Sequence, residues 1–69
     1  MSNVLFTITA DQIENGDQII VDNDELENVT VEDDPEDING VIVKGYSEET
    51  GDIVTYTLPF DYEVQVWAV

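Results

Sequence analysis

The sequence predicts an all-β fold, and three observations carry that prediction. Short apolar or alternating runs recur between turn signals along the 69 residues, at the spacing of barrel or sandwich strands. A 3.6-residue apolar period is missing except around Ala10 to Ile13, and no heptad, internal repeat or linker interrupts the pattern. Hydrophobic residues make up 42% of the chain, which places it with folded proteins and not with disordered acidic tails. This length accommodates one domain over residues 1–69 and a single core.

Six strands are expected. The first runs from Val4 to Thr9, with Val4, Phe6 and Ile8 on one face and Leu5, Thr7 and Thr9 on the other. Ala10 to Glu14 is too short for a stable helix and predicts one helical turn, stopped by Asn15-Gly16. A second strand follows from Gln18 to Asp22. Asp22-Asn23-Asp24 then turns the chain, because Asp and Asn bond their own backbone and tolerate left-handed conformations.

Leu26 to Glu32 reads as an alternating third strand, with Val29 and Val31 pointing one way and Asn28, Thr30 and Glu32 the other. Asp33 to Gly40 is a loop: Pro35 removes a ladder donor, like charges repel, and Asn39-Gly40 predicts a closing hairpin turn. Val41 to Tyr46 is the fourth strand. Ser47 to Gly51 turns the chain with Gly51 at positive φ, and Asp52 to Leu58 returns as the fifth. Pro59-Phe60-Asp61 is a tight turn into a last strand, Glu63 to Val69, with Val64, Val66 and Ala68 on one face.

Charge sets the functional limits. Seventeen acidic residues face one basic residue, Lys44, for a formal charge of −16. Such a surface repels nucleic acid and anionic membranes, so direct binding to either is not expected and a partner should be basic. The first residues hold no positive region and no long apolar run, so neither a leader nor an anchor is expected. The expected location is a cytoplasm, that of a host if the protein is viral, with an assembled virion as the alternative. Asn28-Val29-Thr30 fits a glycosylation pattern, but without a secretion signal it reads more simply as alternating strand.

With neither cysteine nor histidine, there is no disulfide staple, none of the common ligands for zinc and most transition metals, and no thiol or imidazole for catalysis. A domain of this size buries only about 60% of its unfolded surface, so its stability is expected to be small. Any metal would be a hard cation on oxygen ligands. Neither Asp22-Asn23-Asp24 nor Asp33-Asp34-Pro35-Glu36-Asp37 has the central glycine and closing Glu of an EF-hand loop, so no metal and no cofactor are expected. Among so many acids, the proximity of two carboxylates says nothing about acid–base chemistry. No catalytic residue is assigned and a non-enzyme is expected.

The acids are concentrated: Asp22, Asp24, Glu25, Glu27, Glu32, Asp33, Asp34, Glu36 and Asp37 give nine in sixteen residues. One reading is a solvated, salt-adapted surface with no charge-specific partner. Another is mimicry of a nucleic-acid backbone, since alternate strand residues lie about 6.6 Å apart and can set carboxylates in rows at near-phosphate density. The expected binding surface is that segment with Phe60, Tyr62 or Trp67 as apolar contacts. Trp67 itself reads first as a cover for one end of the core, and as a partner contact only if it is exposed with Phe60 and Tyr62. A free last strand would also allow a homo-oligomer by edge pairing.

Two stretches carry a resemblance. Thr9 to Val21, with its short turn and Gly16-Asp17 before a strand, and Gly45 to Pro59, a hairpin and following tight turn, resemble small SH3-like barrel domains of phage and actinobacterial proteins. The resemblance covers nearly half the chain and implies a partly open barrel of five to six short antiparallel strands with one or two single-turn helical segments. It transfers no functional residue. It implies a phage-type inhibitor that blocks a basic site on a host nucleic-acid-binding protein, with a virion decoration or assembly protein as the alternative.

Overall fold

A computed structural model describes residues 4–68, with side chains through Trp67. The fold is all-β: six antiparallel strands in one open sheet and a single 3-10 turn. The strands are β1 (Val4–Thr9), β2 (Gln18–Val21), β3 (Asp24–Asp33), β4 (Gly40–Ser47), β5 (Asp52–Pro59) and β6 (Glu63–Ala68), and the turn is Ala10–Gln12. The predicted strands all exist, with ends moved by one or two residues; Val69, predicted to end the last, lies outside the described residues.

The spatial order is β1-β6-β2-β3-β4-β5. β2 to β5 form a meander, and β6 returns to lie between β1 and β2, pairing Phe6 with Val66 on one side and Ile19 with Val66 on the other. Both edges of the last strand are therefore occupied, and among the described residues the free edges of the sheet belong to β1 and β5.

The sheet curls so that one face holds the core. Ile19, Val21, Leu26, Val29, Val41, Val43, Leu58 and Val64 are buried on it, with Ala10 and Ile13 of the 3-10 turn region closing one end. Fully burying such an aliphatic side chain contributes about 1.5–3 kcal/mol, and this cluster is what holds a chain that has no covalent staple. The turn is fixed from across the sheet: the Ala10 N–H donates to the Tyr62 carbonyl at 2.8 Å and the Asp11 N–H to the Phe60 carbonyl at 3.2 Å.

β3 departs from simple alternation. An unbroken period of two would turn Leu26 away from Val29, yet both are buried, because the register shifts between Glu27 and Thr30 and Asn28 takes φ 50°. The bulge is filled by the Asn15-Gly16-Asp17 loop. The Gly16 N–H donates to the Val29 carbonyl at 2.7 Å, the Val29 N–H to the Asp17 carbonyl at 3.1 Å, and the Val31 N–H to the Asn15 side-chain oxygen at 2.8 Å. Opposite the bulge, Gly45 leaves no room for a side chain: a Cβ there would lie 2.8 Å from Val29 Cγ1 and 3.0 Å from Leu26 Cβ.

The β2–β3 hairpin turns through Asp22 (φ 50°) and Asn23 (φ 69°), as the tolerance of Asp and Asn for left-handed backbone predicts. Asn39-Gly40 behaves differently from expectation. Neither residue has a positive φ, and Gly40 is the first residue of β4. The loop is shaped instead by its aspartates, with the Asp34 carboxylate accepting from the Glu36 N–H at 2.8 Å and the Asp37 carboxylate from the Asn39 N–H at 2.9 Å.

Candidate functional site

The register of the ladders decides which side chains share the outer face, away from the core. Leu5, Trp67 and Gln18 lie side by side across β1, β6 and β2; Glu27, Tyr46 and Ile53 do so across β3, β4 and β5. A neighbouring row runs Thr7, Gln65, Ile20, Glu25. Leu5, Tyr46 and Ile53 are exposed, Ile53 at 66%, and Trp67 is half-buried. The outer face is thus an apolar and aromatic band crossed by the carboxylates of β3.

One of those carboxylates is held in place. The Trp67 indole N–H donates to Glu25 Oε1 at 2.8 Å, and the Gln18 side-chain N–H donates to the same oxygen at 3.2 Å. Trp67 is consequently a fixture of the outer face and covers no part of the core. Glu27 faces Glu48, from the β4–β5 turn, which can hydrogen-bond its protonated form. That bond, the repulsion of Glu48, partial desolvation and the nearby charge of Glu25 raise the Glu27 pKa above the ordinary value.

The remaining acids of the Asp22–Asp37 segment divide by role. Glu32 lies on the outer face opposite Ile42, and Asp33 and Glu36 are exposed at the far end of β3 and in the loop. Asp34 and Asp37 also lie in the loop, where both accept backbone N–H groups. Asp24 belongs to the core face. Its carboxylate accepts the Ser47 hydroxyl at 2.7 Å and the Tyr56 hydroxyl at 2.9 Å. Asp22 accepts the Tyr62 hydroxyl. Two tyrosines therefore hold the tip of the β2–β3 hairpin, and both phenols have raised pKa values: Tyr56 chiefly through burial and then its bond to Asp24, Tyr62 chiefly through its bond to Asp22.

The structure joins Glu25 to Trp67, sets Glu27 on the same face of β3, and leaves Glu32 towards the far end of that strand, opposite Ile42. It separates Phe60 and Tyr62 from them, since these two pack against the core. Sequence reasoning missed Leu5, Tyr46, Ile53 and Glu48. The alternation of β4, with Val41 and Val43 inward, is the signal that turns Tyr46 outward, but its neighbours on that face follow only from strand order. Lys44 lies exposed on the outer face between Thr30 and Thr55.

Among the described residues no group of three acidic side chains is placed to hold a metal ion, and no helix is long and apolar enough to cross a membrane. The chain matches no family model, no curated protein and no solved structure. Fold and surface together define its class as a small all-β domain with an acidic, aromatic-bearing outer face.

Proposed function

We propose that the chain is an acidic protein-binding module, an SH3-like inhibitor of the kind phages use, whose carboxylates stand in for nucleic-acid phosphates. It occupies a basic site on a host nucleic-acid-binding protein. The observation that carries this reading is the path of β3. Its ten residues, about 33 Å if fully extended and less across the bulge at Asn28, set Glu25, Glu27 and Glu32 on the outer face before the chain enters the acidic loop at Asp34. Trp67 and Tyr46 beside this row supply apolar contact of the type that dominates interface hot spots.

Association with a basic groove would be fast and sensitive to salt. The test is capture of proteins from a host lysate on the immobilised full chain, with elution by rising salt and by duplex DNA. A nucleic-acid-binding protein released by both supports the proposal, as does loss of capture by the folded Glu25→Gln, Glu27→Gln, Glu32→Gln, Glu36→Gln variant. Recovery of no such protein, retention that ignores salt, or undiminished capture by the variant would refute it.

A second reading, a virion decoration or assembly protein, is favoured by one observation: β1 ends the sheet with exposed apolar side chains. It predicts co-purification with particles, and not with a host protein.

A further inference from the structure

We infer that β1 is a self-association strand, through which two copies of this chain pair antiparallel across their free sheet edges. Val4, Leu5 and Phe6 are 49%, 36% and 51% exposed, and they occupy both faces of a strand whose outer edge has no ladder partner among the described residues. An unguarded apolar edge of this kind is a template for another strand.

Charge selects the occupant. β1 reads Val-Leu-Phe-Thr-Ile-Thr and carries no ionisable side chain in a chain of formal charge −16. A basic partner would find nothing ionic there and would favour the carboxylates of β3. Two copies of the chain repel wherever acids face each other, and β1 is the edge at which they can meet without bringing charges together. The other free edge, β5, is less suited, because Asp52 begins it and Pro59 ends it without an N–H.

The pairing has a defined geometry. A two-fold axis perpendicular to the sheet keeps the core faces of both copies on one side and pairs residues whose numbers sum to an even value. Centred on Phe6, it sets Phe6 against Phe6 of the second copy, and Val4 against Ile8. Core-face apolar side chains then meet core-face apolar side chains, and Leu5 meets Thr7 on the outer face. Each edge exchanges exposed apolar surface for ladder hydrogen bonds.

Salt gives this association a sign opposite to that of basic-partner binding. Screening weakens the attraction of an acidic face for a basic groove. It relieves the repulsion between two copies, since the Debye length falls from about 10 Å at 0.1 M to about 3 Å at 1 M. The two proposals therefore succeed or fail separately.

The experiment is sedimentation equilibrium of the full chain at fixed concentration in 0.1 M and 1 M sodium chloride, on wild type and three variants. The wild-type apparent mass should approach twice the monomer value in high salt. Phe6→Glu and Thr7→Glu, the latter at an exposed polar position that folding tolerates, should stay monomeric, while Ile53→Glu on β5 should associate as wild type does. A wild-type chain that remains monomeric at 1 M salt would overturn the inference. So would dimerisation of folded Thr7→Glu equal to wild type, or loss of the dimer in Ile53→Glu alone.

Discussion

Replacing Asp24 with alanine separates acids that hold the fold from acids that serve the surface. Its carboxylate accepts two hydroxyls, from Ser47 at 2.7 Å and from Tyr56 at 2.9 Å. Ser47 is 0% exposed, so in Asp24→Ala its hydroxyl is left without its acceptor, a cost of about 1–3 kcal/mol. The Tyr56 hydroxyl is less enclosed, and water can replace part of its lost charge-assisted bond. Together these give an expected loss of about 2–4 kcal/mol, against the roughly 3–5 kcal/mol that a core of this size supplies. Urea unfolding is the assay. With a slope of about 1 kcal/mol/M, the midpoint should fall by about 2 M or more at unchanged slope. Adding Ser47→Ala removes the orphaned hydroxyl and should recover part of the loss, so the pair should couple by about 1–2 kcal/mol. A loss under about 0.5 kcal/mol, or additive single effects, would refute the assignment of Asp24 to the fold.

Three other outcomes are expected. Gly45→Ala forces a methyl group against Val29 and Leu26 and should destabilise by about 1–3 kcal/mol in the same urea assay, with Val29→Ala relieving part of the loss. The folded pKa values of Tyr56 and Tyr62 exceed the unfolded value, so their contribution is present below about pH 10 and is lost as pH rises through the folded values. Thermal midpoints measured from pH 9 upward should therefore drop, and less steeply in Tyr56→Phe and Tyr62→Phe. The folded pKa of Glu27 is also raised, so its contribution is present below the ordinary value of 4.5 and lost as pH rises through the folded one. The chain should gain stability between pH 7 and pH 4.5, and Glu27→Gln should be more stable at pH 7 and show a smaller gain.

Much of the fold was legible because local chemistry decided it. Alternation placed β1 from Val4 to Thr9, and the Asp22-Asn23 and Gly51 turns followed from residues that accept positive φ. The bulge at Asn28 was not legible, since it is stabilised by Asn15 to Asp17, residues distant in sequence that supply its hydrogen bonds. The loop before β4 was expected, but not its closure, where aspartate side chains take the backbone N–H groups and Asn39-Gly40 forms no left-handed turn. For the site, the acidic segment could be read from composition, but its division could not. Asp24 lies on the core face opposite Val21, and Trp67 meets Glu25 only because β6 threads between β1 and β2. Strand order is a long-range property that no local pattern encodes.

The position of β6 also orders assembly in time. Val4 pairs with Ala68, sixty-four positions further along the chain, while β2 to β5 pair only with their sequence neighbours until β6 joins β2. The meander can close early over short loops, whereas β1 must wait for the last strand before either of its edges is paired. During synthesis, the least charged segment of a strongly acidic chain thus spends the longest time as an unpaired strand. A nascent chain of this protein is most exposed to unwanted strand pairing at β1, and the arrival of β6 ends that interval on one side only.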